Sequence, residues 1–167
     1  MSVWRATLGV DARTVVEAVD YDEAAEAIVA SVRPRRATKR RCGRCGARSP
    51  GYDRGDGRRR WRALDVGPTR CYLEAEPVRV TCAEHGVVAA QVPWAAHGAR
   101  HTTAFEVPVA WLVVRMNKSA VKELLRVSWE TLVRGVLGFG AVLLAAASAA
   151  AAAPPSTTRR CSPVSSP

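Results

Sequence analysis

Apolar and polar residues alternate through the first half of this chain and then change period. Residues 14–20 (TVVEAVD) and 26–33 (EAIVASVR) are rich in Val and Ala with partial two-residue alternation, separated by the polar YDEAA. Such alternation sets one face of a strand against a core, so the two runs read as a strand pair, although EAAEAIVA fits a helical turn equally well at this length. Four more short runs follow, RRRWRALDV, TRCYLEAEP, VRVTC and VVAAQVPW, broken by Gly67-Pro68, by Pro77 and by Glu84 to Gly86. That punctuation predicts short antiparallel strands joined by turns. After Trp94 the apolar residues take helical spacing in TAFEVPVAWLVVRMNKSAVKELLRVSWETLVRGV. Three helices are expected, near 104–116, 120–126 and 129–136, with Thr103 (Glu106 three residues on), Ser119 and Ser128 as N-caps. Pro108 would disrupt the opening turn of the first, which argues for a later start than its cap suggests.

From Leu137 the text becomes Ala-rich and then Ser/Pro-rich, and no Asp or Glu follows Glu130. Gly135 to Ala153 is uncharged and long enough to span a bilayer. Nearly half of it is Ala, which is barely apolar, and Gly135, Gly138 and Gly140 crowd its start. A low-complexity tail is therefore preferred to a packed helix or a membrane segment.

Charge changes this picture more than composition does. The net charge is +10, and Arg33 to Arg62 alone holds 13 Lys and Arg against Asp53 and Asp56. The rest of the chain sums to near neutrality. A concentrated basic belt is an electrostatic footprint for a polyanion, most often nucleic acid, or else a solvated arginine-rich loop. Nothing at the N-terminus reads as a secretory signal, so reduced thiols and a cytoplasmic location are expected, with no membrane partner.

Those thiols are patterned. Cys42-Gly43-Arg44-Cys45 is followed by Gly46, and Cys82-Ala83-Glu84-His85 by Gly86, so both segments read ligand-x-x-ligand-Gly. Zinc takes four such ligands in a tetrahedron, delivered as two short knuckles, and Gly lets the chain turn sharply after the second ligand of each. The 36 residues between the knuckles exceed the usual finger spacing, yet the repeated pattern points to a structural zinc site made by Cys42, Cys45, Cys82 and His85. Structural zinc contributes on the order of 10 kcal/mol, so loss of one ligand should unfold residues 34–94. No βαβ pattern supports a redox role for the Cys-x-x-Cys pair. Cys71 reads as a small core residue in an alternating strand, His97 and His101 as surface residues, and Cys161 as having no role.

The last two expected helices, SAVKELLR and SWETLVRG, are separated by a very short turn at Val127, the length of a helix-turn-helix. Ala120, Val121, Leu124 and Leu125 would share a core with Trp111, Trp129, Leu132 and Val133. Thr131 and Arg134 would then be exposed on a helix placed to read base edges, with Lys118 and Lys122 near the DNA backbone. In the belt, Arg40, Arg41, Arg44, Arg58, Arg59, Arg60 and Arg62 are candidate phosphate contacts.

The order RRCGRCG, GYDRGDGRRRWRALDVG, TRCYLEAEPVRVTCAEHG, VPWAAHGARHTTAFE and VAWLVVRMNKSAVKELLRVSWETL resembles the N-terminal region of insertion-sequence transposases of the ISL-three family, over roughly Leu8 to Val133. The resemblance implies a zinc ribbon followed by a helix-turn-helix that together recognise element ends. By it Cys42, Cys45, Cys82 and His85 take the metal positions and helix 129–136 the recognition position. Members of that family continue into a catalytic domain whose three acidic residues hold divalent metal ions, and two-metal chemistry needs such carboxylates. None follows Glu130, and the change of text near Arg134 is what reading a GC-rich gene out of frame would produce. The expectation is therefore a truncated or frameshifted DNA-binding remnant without catalytic activity, acting on double-stranded DNA as a homodimer or beside an intact transposase. The alternative is a stand-alone zinc-ribbon adaptor for RNA or protein.

The expected fold is α+β, with a strand pair over 1–33, an antiparallel zinc ribbon over 34–98, a three-helix helix-turn-helix unit over 99–136 and a tail over 137–167.

Overall fold

The computed structural model describes residues 3–128 and Glu130. The expected third helix at 129–136, its residues Thr131 and Arg134, and the tail lie outside the described residues. A short helix α1 (Val3–Thr7) leads into β1 (Thr14–Asp22) and β2 (Ala27–Pro34), an antiparallel hairpin as expected. A 3-10 turn at Arg36–Thr38 precedes the first knuckle. Then follow β3 (Gly51–Asp53), β4 (Arg59–Val66), β5 (Thr69–Ala75), β6 (Arg79–Cys82) and β7 (Gly86–Ala89). Two helices close the described chain, α2 (Thr103–Val113) and α3 (Lys118–Leu125).

The strands form two sheets, one in the order β1-β2-β5-β4 and one in the order β3-β6-β7. The first joins the N-terminal strand pair to β4 and β5, so the boundary expected at residue 33 does not divide the sheets. Its central pairing, β2 with β5, is parallel, where antiparallel neighbours were expected throughout. Parallel neighbours need a long crossover between them. Here the crossover is the first knuckle, β3 and the β4 arm of the β4–β5 hairpin, which lays β5 beside β2 in the same direction.

Alternation does the packing. Cys71, Leu73 and Ala75 on β5, Trp61 and Ala63 on β4, and Ala30 and Val32 on β2 are buried together with Leu8, Trp94 and Ala95. Trp61 and Trp94 meet edge to face, with ring centroids 5.6 Å apart. Cys71 is a core residue as expected, and burial pushes its thiol pKa up to about 11.

The helical unit packs on this sheet through β4. Thr102, not Thr103, caps α2, its hydroxyl accepting from the Phe105 N–H at 3.2 Å. Pro108 does not delay the start, since it falls inside the helix. Its missing N–H and its ring cost about 3 kcal/mol in a helix interior. Burial of Phe105, Val109 and Ala110 on either side offsets that cost.

Asn117, not Ser119, caps α3. A second cluster of Phe105, Val109, Val121 and Val127 joins the two helices. Trp111, Ala120 and Leu124, expected in that shared core, are exposed instead, because Val121 alone carries the fully buried contact of the short helix.

Where a glycine would be usual after α3, Arg126 takes the left-handed conformation (φ 51°, ψ 47°). The Arg126 N–H reaches the Glu123 carbonyl at 3.3 Å and the Val127 N–H the Lys122 carbonyl at 3.2 Å. This pair of bonds is the Schellman arrangement that ends helices sharply, and its motif needs αL geometry rather than glycine itself.

Candidate metal centre and nucleic-acid interface

The two knuckles are built alike and face one another. In the first, the Cys42 N–H donates to the Ala47 carbonyl at 2.8 Å and the Gly46 N–H to the Cys42 carbonyl at 2.9 Å, folding the chain back on itself. Gly46 has φ +73° and Gly86, in the corresponding place after His85, has φ +64°, the freedom that the repeated Gly supplies. The second knuckle is the turn between β6 and β7. Bonds from the Gly43 N–H to the Ala89 carbonyl (3.2 Å) and from the Gln91 N–H to the Arg41 carbonyl (2.8 Å) hold the first knuckle against the end of β7. Gly43 is needed by close approach, since a Cβ there would lie 2.5 Å from His97 Nδ1 and 2.6 Å from the Ala89 oxygen.

The four ligand atoms converge. The Sγ atoms of Cys42, Cys45 and Cys82 and a ring nitrogen of His85 all lie within 4.8 Å of one another. Cys45 Sγ to Cys82 Sγ is 3.7 Å, and His85 Nδ1 lies 3.6 Å from Cys82 Sγ and 3.8 Å from Cys42 Sγ. Tetrahedral zinc with bonds of about 2.3 Å to sulfur and about 2.0 Å to nitrogen separates its ligand atoms by about 3.5–3.8 Å. Donor set and spacing therefore fit structural zinc, with all four positions supplied by protein and none left open for chemistry. The His85 imidazole lowers the Cys82 thiol pKa to about 6, favouring the thiolate that binds metal. His97 is exposed as expected, whereas His101 is half-buried and stacked on Phe105 at 5.1 Å.

The basic belt divides in two. Arg58 pairs with Glu74 at 2.5 Å, and Arg60 with Glu74 at 2.6 Å and Asp22 at 3.0 Å. Arg59 donates to the Ala99 carbonyl at 2.6 Å and lies over Trp61. Arg62, expected among the phosphate contacts, lies in the interior. It is buried, pairs with Asp65 at 2.6 Å, and lies between the rings of Tyr72 and Phe105. With a carboxylate and two rings around it, this guanidinium is largely withdrawn from solvent. Arg41, half-buried, donates to the Gly46 carbonyl at 3.0 Å and braces the knuckle. By contrast Arg40 and Arg44 are exposed and make no ion pair among the described residues, and Lys118 and Lys122 are exposed on α3.

Sequence reasoning missed Asp65. Its carboxylate also accepts from Arg126, which donates in addition to the Pro68 carbonyl at 2.8 Å. One side chain at the end of β4 thus ties the sheet, through Arg62, to the end of α3.

Two family sequence models cover this region. That for the zinc-finger of transposase IS204/IS1001/IS1096/IS1165 matches residues 38–85 and so includes all four ligands. That for the helix-turn-helix domain of transposase family ISL3 matches residues 90–135. The chain carries the zinc-ribbon and helix-turn-helix region of the ISL3 transposases. Two curated relatives from Mycobacterium tuberculosis, strains CDC 1551 / Oshkosh and ATCC 25618 / H37Rv, each described as the transposase for insertion sequence element IS1557, are 51% identical to it over 133 residues. The match takes in 77% of this chain and 30% of each relative, so the chain spans less than a third of their length. No solved structure matches the chain significantly. Among the described residues no helix is long and apolar enough to cross a membrane.

Proposed function

We propose that this chain is the DNA-recognition part of a transposase, binding duplex DNA at the ends of an insertion element. Zinc fixes the ribbon, and the helix-turn-helix segment that follows it reads bases. The observation that carries the reading is the succession in one chain of a four-ligand zinc cluster and a helix-turn-helix segment, both matching ISL3 transposases. In this reading Thr131 and Arg134 contact base edges, Lys118 and Lys122 contact the flanking phosphates, and these residues serve recognition rather than strand cleavage. It acts in the cytoplasm, as a homodimer or beside an intact transposase, an assembly that sedimentation of the DNA complex would report.

Binding of the zinc-loaded chain to a labelled duplex bearing the element's terminal repeat, competed with a shuffled duplex, tests the reading. Recognition of element ends requires preference for the repeat. Replacing Thr131 and Arg134 with Ala should remove that preference, since a good base contact discriminates by about 1–3 kcal/mol. Equal affinity for both duplexes, unchanged by the substitutions, would instead favour an RNA or protein adaptor.

A further inference from the structure

We propose that the open groove beside the first knuckle, walled by Arg36, Lys39, Arg40 and Arg48, seats the DNA backbone phosphates, and that Arg58, Arg60 and Arg62 do not. The inference rests on the DNA-binding reading and assigns its electrostatic contacts. The groove has a volume of about 580 Å³ and is completed by Ser49 and Pro50, with no carboxylate in its lining. The sequence explains why, since no Asp or Glu occurs from Ala27 to Tyr52. None of the four cations makes an ion pair among the described residues, whereas Arg58, Arg60 and Arg62 each hold a carboxylate.

The contrast is physical rather than a matter of charge count. A cation already neutralised by Glu74 or Asp65 must give up that partner to bind phosphate, while clustered, unpaired cations repel one another and hold small counterions. DNA phosphates replace those ions and release them, which makes such a cluster the favoured polyanion contact.

Two further features mark the groove as a built site. Arg40 has φ +60°, a conformation uncommon outside glycine, and its carbonyl accepts from the Ser49 N–H at 3.0 Å. Its Nε lies 3.3 Å from where a Cβ on Gly51 would stand, so Gly51 leaves the space in which that guanidinium is held. Strained backbone retained in this way clusters at functional positions. Lys39 and Arg40 also line a second, smaller cavity of about 80 Å³, bordered by Arg33, Gln91 and Trp94. Trp94 is 3% exposed and its indole N–H has no acceptor among the described residues. Glu76 also lines that smaller cavity, so the phosphate track is assigned to the open groove alone.

The test is the salt dependence of binding of the zinc-loaded full chain to a fluorescein-labelled duplex of random sequence, followed by anisotropy. Substituting Arg36→Gln, Lys39→Gln and Arg48→Gln together should lower the slope of log affinity against log salt by roughly 0.9 for each contact, about 2.7 in all. The pair Arg58→Gln and Arg60→Gln should leave the slope unchanged and lower the melting temperature instead. Zinc content reports folding for each variant, and the three single variants, each expected to remove about 0.9, repeat the test if the triple variant loses metal. A groove variant with the wild-type slope, or an Arg58/Arg60 variant whose slope falls as far, overturns the inference while leaving the DNA reading in place. A wild-type chain that binds only single-stranded RNA overturns the reading beneath it.

Discussion

Replacing Asp65 with Ala removes a carboxylate that the sheet and the helical unit share among the described residues, and its cost can be worked from the structure. Arg62 is left without its counter-charge where its side chain is only 10% exposed, and breaking such a buried pair costs about 3–5 kcal/mol. Two features reduce that figure. Tyr72 and Phe105 still flank the guanidinium, and the Asp65 side chain is itself 18% exposed, so water can enter where it leaves. The Arg126 pair adds little, since Arg126 is 38% exposed and pairs of that kind contribute about 0–1 kcal/mol. The sum is roughly 3 kcal/mol, which at about 4 °C per kcal/mol for a domain of this size lowers the melting temperature by about 12 °C. Thermal unfolding followed by circular dichroism, with zinc in slight excess, measures it. Because the loss comes from a stranded charge, Asp65→Ala combined with Arg62→Met should recover most of it. A single variant melting with the wild type, or a double variant no more stable than the single one, would refute the account.

Cys82→Ser should abolish stoichiometric zinc binding and unfold the ribbon rather than weaken it, as read by a chromogenic chelator and by loss of the cooperative melt. Gly43→Ala places a methyl group 2.5 Å from His97 Nδ1 and 2.6 Å from the Ala89 oxygen, and should destabilise by about 1–3 kcal/mol with weaker zinc retention in a chelator competition. The Cys71 thiol pKa is raised by burial to about 11, so the native state keeps a proton that the unfolded chain loses earlier. Its stabilising contribution is full below about pH 9 and lost as pH rises toward 11, and Cys71 should resist thiol reagents at pH 8 until denaturant is added, as mass spectrometry of the labelled chain would show.

Some of this was legible in the residues because its physics is local. The ligand-x-x-ligand-Gly repeat specified both knuckles, since a metal ligand pair and a sharp turn are properties of five consecutive residues. Alternation in TRCYLEA placed Cys71 in the core for the same reason. The caps of α2 and α3 were displaced by a residue or two, to Thr102 and Asn117, because several nearby polar side chains can serve and packing selects one. The bare run from Ala27 to Tyr52 was visible too, and would have pointed to Arg36, Lys39 and Arg48 had lack of acids been weighed beside abundance of arginine.

What the sequence by itself determined is thus the inventory: strands, knuckles, metal and a surplus of positive charge. Only the tertiary structure decided which charges are available. Glu74 lies 14 residues from Arg60, and Asp22 lies 38. The Glu74 contact is made across the β4–β5 hairpin, where the two residues are register partners, whereas Asp22 comes within reach only because β5 pairs in parallel with β2, a pairing that no local pattern announces. Asp65 and Arg126, 61 residues apart, meet for a similar reason, when α2 docks on β4. Charge is written residue by residue, but whether it is spent within the fold or offered to a polyanion depends on neighbours that only long-range packing brings together.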